Sequence, residues 1–208
     1  MPKKFEKEFI SYCENENLEV NPNQIKVIKK LEDYHNSNYK SFFSKLFSKQ
    51  KTKKGFYLYG GVGVGKTMIL NFFYDHLEEK KLKKHFNEFM LGFHDFVHEQ
   101  KEKNEENVIN QFVKNLKSKA SLVYFDEFQV TNIVDAMILG KLFEQIFKED
   151  IKIILTSNTK ISELYKEGLQ REQFLPFIKI MEDQSIEYEL KIEDDYRKSN
   201  DNQKQRYF

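Results

Sequence analysis

The sequence has a single cysteine, Cys13, so it holds neither an intrachain disulfide nor a cysteine metal cluster, and it agrees with a reducing compartment. It has no uninterrupted apolar run near the roughly 18 residues of a membrane span. Its start, MPKKFEKEF, lacks the apolar core of a signal peptide, and a cytosolic protein is expected. Neither sign of charge dominates: 34 Lys+Arg face 33 Asp+Glu. No global field therefore recommends nucleic acid or a membrane surface as partner. Internal repeats and Pro/Gly/Ser linkers are absent, and 208 residues suffice for one full α/β domain but not for two generous ones.

Against that background one stretch is dense with glycine. FYLYGGVGVGKTMIL, residues 56–70, runs from alternating bulky side chains through four glycines to Lys66, Thr67 and an apolar run. Glycines leave peptide N–H groups unobstructed and allow positive φ, so successive amides can converge on one small anion. The register fits the phosphate-binding pattern GxxxxGK[ST] over Gly60, Gly61, Val62, Gly63, Val64, Gly65, Lys66 and Thr67, with a strand expected before it and a helix after. In this reading the amides of Val62 to Lys66 wrap the β-phosphate and the helix adds its N-terminal partial charge. Lys66 bridges the β- and γ-phosphates, and the Thr67 hydroxyl ligates Mg2+.

Strands and helices then take turns. Strands are expected at 55–59, 84–88, 121–125, 152–156 and 185–191, with helices near 66–80, 89–103, 107–118 and 133–148 and an irregular segment near 161–180. Before them, PNQIKVIKKLEDYH places Ile25, Ile28 and Leu31 on one face of a helix capped near Asn21, and YKSFFSKLFSK offers a second short amphipathic helix. Such alternation predicts an α/β fold with a five-stranded parallel sheet covered by helices on both faces. Ligands on such sheets sit at the carboxyl ends of the strands.

Two further stretches end strands at that edge. SLVYFDEFQV brings Asp126 and Glu127 to the end of a buried strand, where Asp126 can hold Mg2+ and Glu127 can deprotonate the water that attacks the γ-phosphate. KIILTSNTK ends on polar residues, and Asn158 falls between the phosphate loop and the Asp-Glu pair if its strand inserts between theirs. No NKxD base-reading signature is present, so ATP is expected rather than GTP. His94 and His98 share a helical face without an HExxH pattern, and no metal beyond Mg2+ is implied. Phe86, Phe89, Phe93 and Phe96 are read mainly as core, and the lysines of SKQKTKKG and EEKKLKKH as a solvated face.

Taken in order, YLYGGVGVGKT, HFNEFM, YFDEFQVTNIVDAMIL, TSN, LYKEGLQREQFLPFI and DYR resemble the ZapE-type cell-division ATPases, an AAA+ family with mitochondrial relatives. The resemblance implies an AAA+ P-loop core, hydrolysis of ATP with Mg2+, homo-oligomers in the ATP-bound state, and a client protein such as the tubulin-like division protein. It also implies a place in the cytoplasm at the division site or peripheral to a membrane. Asn158 corresponds to sensor 1, and Arg171, in GLQREQF, to an arginine finger acting in trans. Residues 1–54 are then expected to form an N-terminal helical lead-in, 55–197 the nucleotide-binding core and 198–208 a polar tail, with the family's C-terminal lid absent. Two alternatives stay open: a nucleic-acid-associated AAA+ ATPase such as a helicase loader, and a nucleotide-gated binding protein with little turnover.

Overall fold

The computed structural model describes residues 4–39, 52–100 and 104–192. Five strands, β1 (Gly55–Tyr59), β2 (Lys81–His85), β3 (Leu122–Asp126), β4 (Lys152–Ser157) and β5 (Ser185–Glu189), pair in parallel in the order β2-β3-β4-β1-β5. The expected five-stranded parallel sheet is therefore present, and β4 lies between β1 and β3 as the reading of Asn158 requires. Each central strand feeds two cores by its alternation. Phe56, Leu58, Tyr124 and Ile154 point to one face, and Tyr57, Val123, Phe125, Ile153 and Leu155 to the other.

Three helices cover the first face: α1 (Lys4–Asn15), α2 (Pro22–Tyr39) and α3 (Lys66–Asp75). The second carries α4 (Phe86–Glu99), α5 (Glu105–Lys119), α6 (Ile133–Lys148) and α7 (Leu175–Gln184). Helix starts follow local capping. The Asn104 side chain accepts from the amides of Glu106 and Asn107, and that of Asn132 from Asp135, so orphan N–H groups of α5 and α6 are satisfied. Near the expected cap of α2, Asn21 accepts from the Asn23 amide at 2.8 Å.

The expectation for β2 is corrected. The strand covers Lys81–His85 rather than 84–88, and α4 begins at Phe86. Phe86, Phe89, Met90 and Phe93 recur at i, i+3, i+4 and i+7, and all four are buried in one stripe, so helical burial takes over at Phe86. Phe96 packs against Phe112 with ring centroids 5.4 Å apart. β2 itself is an edge strand rich in lysine, a composition that discourages pairing with a further strand. One of these lysines also shortens α3, expected to reach residue 80. Lys81 donates to the carbonyls of Tyr74, Asp75 and Leu77, closing the helix end at Asp75.

The segment near 161–180 resolves into two 3-10 turns, Ile161–Glu163 and Arg171–Gln173, followed by α7. Within the expected helical lead-in, α1 was not placed individually. It buries Phe5, Phe9 and Cys13, spaced four apart, with Phe9 edge-on to Phe72 of α3 at 5.0 Å. Apart from Tyr39, which ends α2, the second amphipathic helix of the sequence reading, YKSFFSKLFSK, lies outside the described residues, as does the tail from 193 onward.

Candidate functional site

The loop from Gly60 to Gly65 joins the carboxyl end of β1 to the N-terminus of α3, whose first residue is Lys66. Close approach and positive φ explain two of its glycines, Gly60 and Gly65. A Cβ on Gly60, at φ +153°, would stand 2.3 Å from the carbonyl oxygen of Leu190, which follows β5. A Cβ on Gly65, at φ +90°, would stand 2.7 Å from Nε2 of Gln24. That Gln24 nitrogen donates to the Val64 carbonyl at 3.1 Å, so the start of α2 holds the loop from behind. Gly60→Ala is therefore expected to destabilise the fold by about 2 kcal/mol, through strain against backbone that has no rotamer to yield. Denaturant unfolding of the variant beside the wild type measures it.

Lys66 is only 8% exposed. Its ammonium donates to the carbonyls of Gly60 at 2.9 Å and Gly61 at 2.7 Å, and to Oδ1 of Asn158 at 2.9 Å. Burial pulls its pKa down, and the nearby charge of Asp126 works the other way. One residue on, Thr67 donates to Oδ1 of Asp126 at 3.0 Å. The loop, Asp126 and Asn158 are thus joined by hydrogen bonds through two adjacent side chains at the start of α3.

Asp126 is buried as the last residue of β3. Its Oδ1 accepts from Thr156 Oγ1 at 2.6 Å as well as from Thr67, and from the Glu127 amide at 3.2 Å. Glu127 leaves the strand exposed and with φ +56°, a left-handed conformation that costs a residue with a Cβ about 1 kcal/mol or more. Contacts to β4 hold that turn: the Glu127 amide donates to Thr156 Oγ1 at 3.0 Å, the Phe128 amide to the Thr156 carbonyl at 2.7 Å, and Ser157 Oγ to the Phe128 carbonyl at 3.0 Å. Above Asp126 in the strand, burial pushes the Tyr124 hydroxyl pKa upward, and the Asp126 charge adds to the shift.

Together these elements surround a cavity of about 550 Å3 lined by residues that include Gly65, Lys66, Thr67, Glu127, Thr156 and Asn158. Of the residues read as phosphate, metal or water contacts, Val62, Gly63, Gly65, Lys66, Thr67, Glu127 and Asn158 line it; Asp126 lies behind the lining, bonded to Thr67 and Thr156, and Gly60, Gly61 and Val64 do not line it. Arg171 opens a 3-10 turn, its Nη2 donates to the Ser162 carbonyl at 2.8 Å, and it is not among the residues lining the cavity of its own chain. Two residues that hold the site were missed by the sequence reading. Thr156 lies two positions before Asn158 within an apolar strand, and Gln24 lies forty before Val64; neither carries a local pattern that announces its contact.

The donor set suits a nucleoside polyphosphate. A buried ammonium stands over unencumbered backbone at a helix N-terminus, a known arrangement for phosphate. A hydroxyl beside a carboxylate supplies the hard oxygen ligands that Mg2+ takes. Among the described residues no cluster of three or more His, Cys, Asp or Glu forms another metal site. His94 instead bonds Asp135 at 2.7 Å. No helix among the described residues is long and apolar enough to cross a membrane.

The sequence pattern of the AFG1-like ATPases matches residues 14–208. Lactation elevated protein 1 homolog B of Danio rerio is 39% identical over 161 residues, which cover 73% of this chain and 32% of that protein. Cell division protein ZapE of Escherichia coli K12 is 38% identical over 132 residues, covering 63% of this chain and 35% of its own length. The chain thus spans about a third of the length of the curated relatives it matches. In fold, domain III of the Thermotoga maritima replication initiation protein DnaA superimposes with a TM-score of 0.58 at 18% identity, covering 88% of this chain and 69% of that one. The architecture is that of the P-loop AAA+ proteins.

Proposed function

The chain belongs to the AFG1-like ATPase family, and from that premise we propose that it hydrolyses ATP with Mg2+ and uses the cycle to remodel or destabilise assemblies of a client protein. The observation that carries the chemical half is the continuous bonding of Asn158, Lys66, Thr67 and Asp126, with Glu127 exposed beside it. Lys66 exchanges its carbonyl partners for the β- and γ-phosphate oxygens. Thr67 and Asp126 would hold Mg2+, whose charge offsets that of the phosphates. Glu127 accepts a proton as the water oxygen bonds to the γ-phosphorus and the bond to the bridging oxygen breaks; ADP and phosphate leave. Asn158 orients the water or the γ-phosphate.

The client half rests on a relative, the E. coli cell division protein, and a component of the division apparatus, at the cytoplasmic division site, is the client proposed. Arg171 is proposed to act in trans on the pocket of the next copy in an ATP-bound homo-oligomer. Mixing two variants tests that assignment. Arg171→Ala keeps its pocket and loses the finger, whereas Glu127→Gln keeps the finger and loses the base, so each alone is expected to turn over slowly. In a random equal mixture about one quarter of head-to-tail interfaces pair an intact pocket with an intact finger, and hydrolysis should recover there. Mixed oligomers seen by sedimentation that stay as inactive as their parents would remove Arg171 from the site.

A further inference from the structure

The turn that carries Glu127 is stitched to β4 chiefly by one residue, and that residue has no place in the mechanism above. We infer that Thr156 is a positioning residue for the catalytic glutamate: its hydroxyl fixes the Asp126 carboxylate and the Glu127 backbone at once, setting the direction in which the Glu127 side chain leaves the strand. The inference rests on the hydrolytic reading of the pocket.

Thr156 is 2% exposed, and no water can substitute easily for its side chain. A hydroxyl has one proton to give. Here it goes to Asp126 Oδ1 at 2.6 Å, the shortest contact that oxygen makes, which leaves lone pairs turned toward the Glu127 amide at 3.0 Å. Donor and acceptor roles are thereby assigned without ambiguity. Among the described residues the amide's other acceptor is Asp126 Oδ1 at 3.2 Å, an oxygen that Thr156 holds at 2.6 Å and Thr67 at 3.0 Å. Of these two contacts of the Glu127 N–H, one is made to the Thr156 hydroxyl directly and the other to an oxygen that the same hydroxyl holds at its shortest contact.

The conformation under this clamp is the one that needs it. Glu127 sits at φ +56°, where a residue with a Cβ relaxes to right-handed or extended backbone unless its surroundings forbid it. A rotation about that φ swings an exposed side chain, and a base displaced by an ångström loses its proton-transfer geometry. Phe128 is anchored separately, by its amide on the Thr156 carbonyl and by Ser157 on its own carbonyl, and its ring is buried. Loss of the hydroxyl should therefore disturb Glu127 locally while the downstream turn stays docked. Lys66 bonds Gly60, Gly61 and Asn158, none of which involves Thr156, so phosphate binding should be spared.

Valine replaces the hydroxyl with a methyl of similar size, and serine restores the hydroxyl without the methyl. Three readouts on the full chain separate the possibilities: steady-state phosphate release, calorimetric affinity for ATP with Mg2+, and amide hydrogen exchange at Glu127 by NMR. Thr156→Val is expected to lower kcat about 30-fold, keep ATP affinity within about 3-fold, and speed exchange at Glu127 at least about 10-fold; Thr156→Ser should return all three to within about 3-fold of wild type. In a Glu127→Gln background Thr156→Val should add little further loss, because the two act on one step. Retained kcat in an active protein, unchanged Glu127 exchange, or kcat and affinity falling together in Thr156→Val each overturn the inference alone. A wild-type protein that releases no phosphate overturns the hydrolytic reading and the role of Thr156 in it.

Discussion

Lys66→Ala is expected to weaken binding of Mg-ATP by about 10^2-fold or more and to bring turnover to background. The loop around the site is otherwise built from backbone dipoles, and Lys66 is the one side-chain cation among the residues lining the cavity. A charge-assisted contact to phosphate is worth about twice a neutral one, and this one is made where burial limits competition from water. Its desolvation is already part of the folded state: burial lowers the pKa of Lys66, and the neighbouring Asp126 charge opposes that shift. Phosphate oxygens strengthen the opposition, so the ammonium is better matched with nucleotide present than without it. Alanine also leaves the Gly60 and Gly61 carbonyls and Asn158 Oδ1 without this donor, and a melting curve should accompany the calorimetry. Binding of wild-type strength in a folded Lys66→Ala variant would remove the phosphate-loop assignment.

Glu127→Gln should separate binding from chemistry. The amide keeps the shape of the carboxylate and cannot take a proton, so turnover is expected to fall by about 10^2-fold or more while ATP affinity stays close to wild type. The position is exposed, and among the described residues the contacts holding the turn are made by its amide and by its neighbours rather than by its carboxylate. Substitution should therefore leave stability nearly unchanged. A form that binds ATP and does not release phosphate should also retain its client, and capture with ATP but not ADP is the expected result of a pull-down. Undiminished steady-state hydrolysis would mean that another group takes the proton.

How far the sequence announced this site depends on how local each signal is. The phosphate loop is a contiguous pattern, the strand before it is where alternation places it, and the helix after it starts at the expected Lys66 though it ends at Asp75. Asp126 and Glu127 end a strand that is buried along its whole length, and α6 spans Ile133–Lys148, matching its expected bounds. β2 was misplaced because Lys81, Lys83 and Lys84 give an edge strand no apolar alternation, while Phe86, inside the expected 84–88, belongs to a helical stripe. α1 was missed because Phe5, Phe9 and Cys13 sit among charged residues, and Phe5 and Phe9 find ring partners on α3, more than fifty residues away. Thr156 and Gln24 are polar residues whose work is done across elements, by contacts that no spacing rule encodes.

Release of inorganic phosphate from ATP with Mg2+, followed at steady state for the wild-type chain beside Lys66→Ala, tests the central claim most directly. The wild type is expected to release phosphate continuously, with a rate per molecule that rises with protein concentration as copies assemble, and the folded Lys66→Ala variant to stay at the uncatalysed background. Equal release by the two proteins, or none by either, would contradict the assignment of ATP hydrolysis to this pocket.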